Sequence, residues 1–224
     1  MSKIKGVVFD LYGTLYDVYS VAQACDACFP GRGAEVSQLW RLKQLEYAWL
    51  RSLMNQYRPF EDITEDALVY VCHRLALPLS DAQRAMLCDA YLKLQPFPET
   101  ASTLGALQAL GVPLAILSNG SSRSIASVVQ HSGLEQHFAH LISIEQVRLY
   151  KPHTRAYELG EQYLGAARHE LLFVSSNPWD ASGARHFGYQ VAWVNRTGTA
   201  FDELGVRPDR EIASLAGLLD AVRA

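Results

Sequence analysis

The chain is poor in cysteine, with only Cys25, Cys28, Cys72 and Cys88 among its 224 residues. A chain of this length can bury enough apolar surface to fold without disulfides, which excludes a disulfide-dependent scaffold. Cys25 and Cys28 have Cys-x-x-Cys spacing, but a structural zinc site of this type needs a second pair of ligands. We therefore expect four free thiols in a reducing compartment.

An excess of either charge and a long apolar run are also missing. The 20 basic and 23 acidic residues give a net charge of −3, too little to indicate a nucleic acid or an anionic membrane as partner. No apolar run approaches the ~20 residues of a membrane-spanning helix. Residues 1–5 lead directly into a strand-like run, which leaves no room for a signal peptide. These absences predict a cytoplasmic protein.

What the sequence does contain is short apolar runs that alternate with helical patterns. The strand-like runs are residues 7–9, 112–117, 139–144, 171–174 and 190–194. Helical patterns lie between the later runs, at residues 99–110, 121–131, 153–164 and 179–186. Strands and helices that alternate in this way predict an α/β fold with a doubly wound parallel sheet.

A second helical region separates the first strand from the second. Apolar residues recur at helical spacing over residues 37–57, 64–75 and 80–94. We interpret residues 16–95 as a helical cap domain inserted into an α/β core domain of residues 1–15 and 96–224.

Polar residues collect where the predicted strands end. Asp10 closes the first strand, Ser118 and Asn119 the second, and Ser175–Asn177 the fourth; Lys151 and Asp180 follow the third and fourth strands. Turns and helix caps favour the same residue types, so each one alone has an ordinary explanation. Because ligands bind at the carboxyl edge of open α/β sheets, the set together predicts one site there.

The same residues resemble the four motifs of the haloacid dehalogenase superfamily. The motifs are Asp10-Leu11-Tyr12-Gly13-Thr14, Ser118-Asn119-Gly120, Lys151-Pro152 and Ser175-Ser176-Asn177-Pro178-Trp179-Asp180. Phosphatases of this superfamily have an aspartate where Tyr12 stands and typically a Gly-Asp pair in place of Ser175-Ser176. The resemblance therefore favours the L-2-haloacid dehalogenases and implies no metal and no cofactor. The seven histidines are scattered without metal-ligand context, and we expect them on the surface.

The resemblance also implies a mechanism. Asp10, kept ionised by Lys151, would attack a saturated carbon and form an ester. Water activated by Asp180 would then attack the carboxyl carbon of Asp10. The substrate carbon would be inverted once, so that an L-2-haloacid gives a D-2-hydroxyacid.

Roles for the remaining site residues are likewise expectations from the resemblance. Arg41 and Asn119 would hold the departing halide, while Thr14 and Ser175 would orient Asp10 and Lys151. Asn177 would help to hold Asp180 or the water, and Tyr157 matches a position associated with activity.

Substrate-binding residues are expected on both domains. We expect the Ser118 hydroxyl and the backbone N–H groups of Leu11 and Tyr12 to form a small anion site for the substrate carboxylate. An apolar pocket would be formed by Tyr12, Leu45, Phe60 and Trp179.

Each of these assignments has an ordinary alternative. Arg41 alone reads as a solvated arginine, Tyr157 as a half-buried helix tyrosine, and Lys151 as a member of a surface salt bridge. The four apolar residues of the expected pocket also suit a core. Leu42 follows Arg41 at a position where the resemblance implies a polar residue, and this difference would make the pocket drier and shift the substrate chain length that it accepts.

Two other functions fit the same fold. One is a phosphatase or phosphonatase, and the other is a non-catalytic protein that binds a partner through the cap. Dehalogenation remains our prediction, with a small 2-haloacid and a halide ion as ligands and neither nucleic acid nor membrane as partner. The resemblance also implies a homodimer, because relatives are often dimers.

Overall fold

The computed structural model describes residues 3–223 and is built around one six-stranded sheet. Its strands are β1 (Gly6–Phe9), β2 (Tyr16–Asp17), β3 (Gln95–Pro96), β4 (Leu114–Ser118), β5 (His140–Ser143), β6 (Leu171–Ser175), β7 (Gln190–Val194) and β8 (Arg210–Ile212). The six-stranded sheet has the order β5-β4-β1-β6-β7-β8, and every neighbouring pair is parallel. The predicted doubly wound parallel sheet is confirmed.

The apolar strands form because both faces of the sheet are covered. Every residue of β1, β4, β6 and β7 is buried, as is typical of parallel strands with helices on both sides. β1 lies in the middle, where Val8 is opposite Ala115 on one side and Phe173 on the other. The edge strand β8 is half exposed, and its Arg-Glu-Ile sequence gave no strand signal to predict it.

Nine helices of residues 3–223 complete the fold. They are α1 (Ala22–Cys28), α2 (Gly33–Leu53), α3 (Phe60–Arg74), α4 (Asp81–Ala90), α5 (Thr100–Ala109), α6 (Ser122–His131), α7 (Thr154–Leu164), α8 (Pro178–Phe187) and α9 (Leu218–Arg223). None of these helices has the length and hydropathy needed to cross a membrane.

Helix α2 begins and ends four residues before the predicted 37–57. Its N-cap position is Arg32, whose side chain makes no capping hydrogen bond, so the sequence has no start signal there. At the other end Asn55 adopts a φ of 54°, which stops the helix well before Pro59. Helix α1 was missed altogether, because its seven residues bury only Cys25 and show no apolar stripe.

Helices α1–α4 form a layer that packs over the end of the sheet. Within this layer, the Trp40 indole N–H donates to the Thr64 carbonyl at 2.7 Å, and the ring centres of Trp40 and Tyr91 are 4.6 Å apart. Contact with the sheet domain includes a hydrogen bond of 2.6 Å from the Tyr150 hydroxyl to the Arg58 carbonyl. These helices lie within residues 16–95, which we predict to form the cap.

The two segments that connect the helical layer to the sheet lie side by side. β2 and β3 pair antiparallel, with Tyr16 opposite Pro96 and Asp17 opposite Gln95. We propose this pair as the boundary of the cap, which gives the cap residues 16–95.

Close packing between α1 and α2 yields a prediction at Gly33. A Cβ added to Gly33 would overlap the Ala22 carbonyl oxygen and lie 2.7 Å from the Asp26 backbone nitrogen. Gly33→Ala should therefore lower the free energy of unfolding by about 1–3 kcal/mol, the usual cost of overpacking. Urea denaturation measures the change. Gly105→Ala is the control, since a Cβ there meets nothing closer than His137 at 4.0 Å and should stabilise α5 by up to about 1 kcal/mol. A Gly33→Ala variant as stable as the parent would contradict this packing.

Candidate active site

The predicted polar residues do meet at the carboxyl edge of the sheet. Asp10 directly follows β1, Ser118 ends β4, and Ser175 ends β6. Lys151 precedes α7, and Asp180 lies in the first turn of α8. All five side chains are buried, with Asp10 the most exposed at 4%.

Lys151 lies at the centre of the site. Its Nζ is 2.8 Å from Asp10 Oδ1, 2.8 Å from Asp180 Oδ2 and 3.0 Å from the Leu117 carbonyl oxygen. The three N–H donors of the ammonium group are thus matched by three acceptors. The side chain is fully buried, so the alternative of a surface salt bridge is wrong.

The charges of this triad stabilise one another against burial. Burial opposes the charged form of Lys151, but Asp10 and Asp180 outweigh it and raise the pKa of the ammonium group above its ordinary value. Burial also raises the pKa of Asp180 to about 6, with Lys151 pulling that pKa down and Asp10 pushing it up. At pH 7 Asp180 is therefore mostly ionised, yet its carboxylate is far more basic than one in water.

The two oxygens of Asp10 have different environments. Oδ2 accepts hydrogen bonds from Thr14 Oγ1 at 2.8 Å, Asn177 Nδ2 at 2.8 Å and Ser175 Oγ at 3.4 Å. Oδ1 accepts one from Lys151. The protein therefore fixes the carboxylate through Oδ2, and lone-pair density remains on Oδ1.

Ser175 and Asn177 both contact the Asp10 carboxylate. Ser175 was expected, with Thr14, to orient Asp10 and Lys151, and its hydroxyl lies within hydrogen-bond distance of Asp10 Oδ2 and, at 3.2 Å, of Asp180 Oδ2. Asn177 was expected to help hold Asp180 or the water. Its carbonyl accepts the N–H of Asp180 at 3.1 Å, and its side-chain amide donates to Asp10 and to the Tyr12 carbonyl at 3.0 Å. Asn177 precedes α8 and so lies beside the loop that follows β1.

Tyr157 is fully buried and donates a hydrogen bond of 2.7 Å to Asp180 Oδ1. The alternative of a half-buried helix tyrosine is therefore wrong. Burial, aided by the charge of Asp180, raises the pKa of the Tyr157 phenol well above its ordinary value, so it remains a proton donor. This bond favours the ionised form of Asp180.

Ser118 and Asn119 shape the loop after β4. The Ser118 hydroxyl accepts the N–H of Gly120 at 3.1 Å, and the Asn119 Oδ1 accepts the N–H of Lys151 at 2.9 Å. Asn119 thereby links the second and third motifs through the backbone of Lys151.

Arg41 and Leu45 are both buried on one face of α2, at 6% and 8% exposure, which rules out an ordinary solvated arginine. The Arg41 guanidinium donates to Gln44 Oε1 at 2.8 Å, and its central carbon lies 6.0 Å from the centre of the Tyr12 ring. Gln44 in turn donates to Thr64 Oγ1 at 2.6 Å. Gln44 and Thr64 were missed in the sequence, because nothing in the helical pattern distinguishes them from surface polar residues.

The expected apolar pocket is divided among three cavities. Arg41, Leu42, Leu45 and Asn177 border a cleft of about 460 Å³ between the helical layer and the sheet. The Tyr12 and Phe60 rings, 5.1 Å apart, border a cavity of about 260 Å³.

The third cavity, of about 430 Å³, is bordered by Trp179 together with Trp49, whose rings meet at 5.4 Å. Trp179 therefore lies apart from the other members of the expected pocket. Within residues 3–223, no group of three or more His, Cys, Asp or Glu side chains is arranged to hold a metal ion.

Comparison with known proteins identifies the family of this chain. The family model of haloacid dehalogenase-like hydrolases matches residues 4–188. An (S)-2-haloacid dehalogenase from Pseudomonas sp. (strain YL) is 56% identical over 220 residues, which are 98% of this chain and 95% of that protein. The chain belongs to the L-2-haloacid dehalogenase family.

Solved dehalogenase structures share the whole fold. A crystal structure of an L-2-haloacid dehalogenase has a TM-score of 0.97 at 43% identity and covers 100% of both chains. The L-2-haloacid dehalogenase from Xanthobacter autotrophicus with chloropropionic acid covalently bound has a TM-score of 0.93 at 38% identity and covers 99% of both chains.

The charge balance around Lys151 predicts that the Lys151→Met variant is less stable than the parent protein and that this loss depends on pH. Without the ammonium group, two buried carboxyls face each other, and we expect a loss of about 3–5 kcal/mol in the free energy of unfolding at pH 8. Burial and the charge of Asp10 raise the pKa of Asp180 in the folded state, and the variant lacks the Lys151 charge that opposes this rise, so the folded protein binds a proton that the unfolded chain releases near pH 4. Stability should therefore fall as pH rises through the folded-state pKa of Asp180, and the loss should be smaller at pH 5.

Urea denaturation at pH 5 and pH 8 measures both values. The control is Lys93→Met, because Lys93 pairs with Asp89 at an exposed position and its loss should change little at either pH. A Lys151→Met loss that is the same at both pH values would contradict the charge balance described here.

Proposed function

We propose that this protein hydrolyses short-chain L-2-haloalkanoic acids to D-2-hydroxyalkanoic acids, with Asp10 as nucleophile and no metal ion. The observation that carries the proposal is the buried Lys151 ammonium group, 2.8 Å from both Asp10 and Asp180. It supplies the positive charge that two neighbouring carboxylates require. The names of the relatives support the substrate class, and the chloropropionic acid bound covalently in one of them supports an ester intermediate.

In the first step, Asp10 Oδ1 attacks the carbon that bears the halogen and the halide departs with the bonding electron pair. Oδ1 is the attacking oxygen because Oδ2 already accepts hydrogen bonds from Thr14, Asn177 and Ser175. Arg41 and Asn119 stabilise the negative charge that develops on the halide. The Ser118 hydroxyl and the N–H groups of Leu11 and Tyr12 hold the substrate carboxylate.

In the second step, Asp180 takes a proton from water, which attacks the carboxyl carbon of Asp10. The ester C–O bond to the enzyme breaks, Asp180 returns its proton to the departing alkoxide, and the product leaves with the original Oδ1 as its hydroxyl oxygen. The oxygen of water remains in Asp10. A raised pKa of Asp180 makes its carboxylate a better base, which suits this step.

Position 12 favours this reaction over phosphate ester hydrolysis. Burial, reinforced by Glu61, raises the pKa of the Tyr12 phenol well above its ordinary value. It is therefore a poor acid for protonating a leaving alkoxide, whereas a halide needs no proton.

We also propose that the protein is cytoplasmic and forms a homodimer. The four free cysteines agree with a cytoplasmic, reducing setting. Leu50, Leu53 and Met54 are exposed at the end of α2 and support a homodimer, which sedimentation analysis would test.

The decisive experiment is a single turnover of L-2-chloropropionate in ¹⁸O water with EDTA present. We expect chloride release, label in Asp10 on peptide mass spectrometry, and D-lactate without label. Asp10→Asn is the control and should release no halide. Label found only in the product hydroxyl would refute the ester route. Magnesium-dependent cleavage of p-nitrophenyl phosphate without halide release would favour a phosphatase, and inactivity in both assays a binding protein.

The hydrogen bond from Tyr157 to Asp180 predicts a shift in the pH profile. In Tyr157→Phe the ionised form of Asp180 loses a donor, so its pKa should rise above about 6. A smaller fraction of Asp180 is then ionised at any given pH. The acidic limb of the kcat profile should move upward by roughly one pH unit, corresponding to one hydrogen bond to a charged group.

Tyr189→Phe is the matched control. It removes another buried hydroxyl, which donates to the Tyr157 carbonyl at 2.7 Å, without touching Asp180. Its acidic limb should coincide with that of the parent enzyme. An unmoved limb in Tyr157→Phe would mean that Asp180 is not the base.

A further inference from the structure

Arg196 lies just beyond β7, outside the four motifs, and its side chain is only 18% exposed. Its guanidinium donates to Glu99 Oε1 at 2.9 and 3.1 Å, and its central carbon lies 3.7 Å from the centre of the Phe97 ring. It also donates to the Thr14 carbonyl at 2.9 Å and the Ser176 hydroxyl at 2.7 Å. The guanidinium also lies 3.5 Å from the Gly13 carbonyl oxygen, so one side chain contacts five residues.

These residues belong to three segments that meet at the active site. Thr14 lies in the first connection to the cap, Phe97 and Glu99 lie in the second, and Ser176 follows β6. The two connections are also joined directly, since the Leu15 carbonyl accepts the N–H of Phe97 at 3.0 Å. Arg196 links these two connections to the sheet through its hydrogen bond to Ser176, the residue after β6.

A short chain of hydrogen bonds leads from Arg196 to the nucleophile. The Thr14 hydroxyl accepts the N–H of Ser176 at 2.8 Å and donates to Asp10 Oδ2 at 2.8 Å. Both residues that place this hydroxyl, Thr14 and Ser176, are held by the guanidinium. Arg196 itself does not contact Asp10 in the structure.

We propose that Arg196, held by Glu99, is a positioning residue that sets the direction of the Asp10 carboxylate through Thr14 and Ser176. This inference rests on the proposed function of Asp10 as nucleophile. The planar fork of arginine can bind the carboxylate, the carbonyl and the hydroxyl together, whereas a lysine ammonium lacks this geometry. Displacement of a reacting group by about 1 Å costs up to roughly 100-fold in rate.

The first test compares Arg196→Ala and Arg196→Lys with the parent enzyme. We expect kcat for L-2-chloropropionate to fall roughly 10- to 100-fold in Arg196→Ala, with partial recovery in Arg196→Lys and KM changed less than about threefold. The kcat of Glu99→Gln should lie between that of Arg196→Lys and that of the parent enzyme. Glu99→Gln replaces Arg196→Ala in this test if Arg196→Ala does not fold.

Arg168→Ala is a closely matched control. Arg168 lies over the Phe187 ring at 4.0 Å, pairs with Glu161 at 2.9 Å and donates to the Phe187 carbonyl at 3.1 Å, away from Asp10. Its loss should lower stability but leave kcat within about twofold of the parent. Equal kcat losses in the Arg168 and Arg196 variants would reduce Arg196 to a structural role and overturn the proposal.

The second test asks whether Arg196 acts through Thr14. Single-turnover mass spectrometry measures alkylation of Asp10 in Thr14→Ala, Arg196→Ala and the double variant. We expect the double variant to be no slower than Thr14→Ala alone, because both changes remove the same restraint. Losses that multiply would overturn the proposal, as would Arg196 variants with parental rates. If the parent itself forms no ester, the proposed function fails, which is a separate outcome.

Discussion

The active site depends on burying one ammonium group between two carboxylates. Lys151 brings a charge into the interior, which is costly unless partners lie within hydrogen-bond distance. Asp10, Asp180 and the Leu117 carbonyl provide those partners at 2.8–3.0 Å. Removal from water also deprives carboxylates of the solvation that makes them weak nucleophiles and bases, which suits the roles that we propose for Asp10 and Asp180.

The surrounding polar residues form different sets of hydrogen bonds with the two carboxylates. Thr14, Ser175 and Asn177 hold one oxygen of Asp10, whereas Tyr157 holds the far oxygen of Asp180. Lys151 contacts the other oxygen of Asp10 and, together with Ser175, the other oxygen of Asp180. These different environments suit the different roles that we propose for two chemically identical groups, one as nucleophile and one as base.

The sheet and the motif residues were predictable because their signals are local. Apolar runs such as Leu171–Val174 predict buried parallel strands. Polar residues that follow these strands lie close together because parallel strands end at the same edge of the sheet. Helix α1 and strand β8 carry no such pattern, and α2 begins at Gly33 after an N-cap residue, Arg32, whose side chain makes no capping hydrogen bond. These elements were therefore missed or misplaced.

Contacts between distant segments were the least predictable part of the site. The resemblance assigned Ser175 and Asn177 to the site, but their partners depend on how α8 lies beside the loop after β1. Gln44 supports Arg41 from one helical turn away, and Arg196 reaches Thr14 across 182 positions of chain. Neither residue has a sequence signal, since any polar residue at those positions would fit the local pattern equally well.

The pairing of β2 with β3 has a consequence for how such enzymes diversify. Tyr16 faces Pro96, so the inserted helices leave the sheet domain and return to it at adjacent points. A different insertion with equally close ends could replace them without rerouting any strand of the sheet. Asp10, Lys151 and Asp180 lie in the sheet domain, whereas Arg41 and Leu45 on the inserted α2 border the neighbouring cleft. Exchange of the insertion would therefore change the cleft, including the group at the position of Arg41, and leave the buried triad in place.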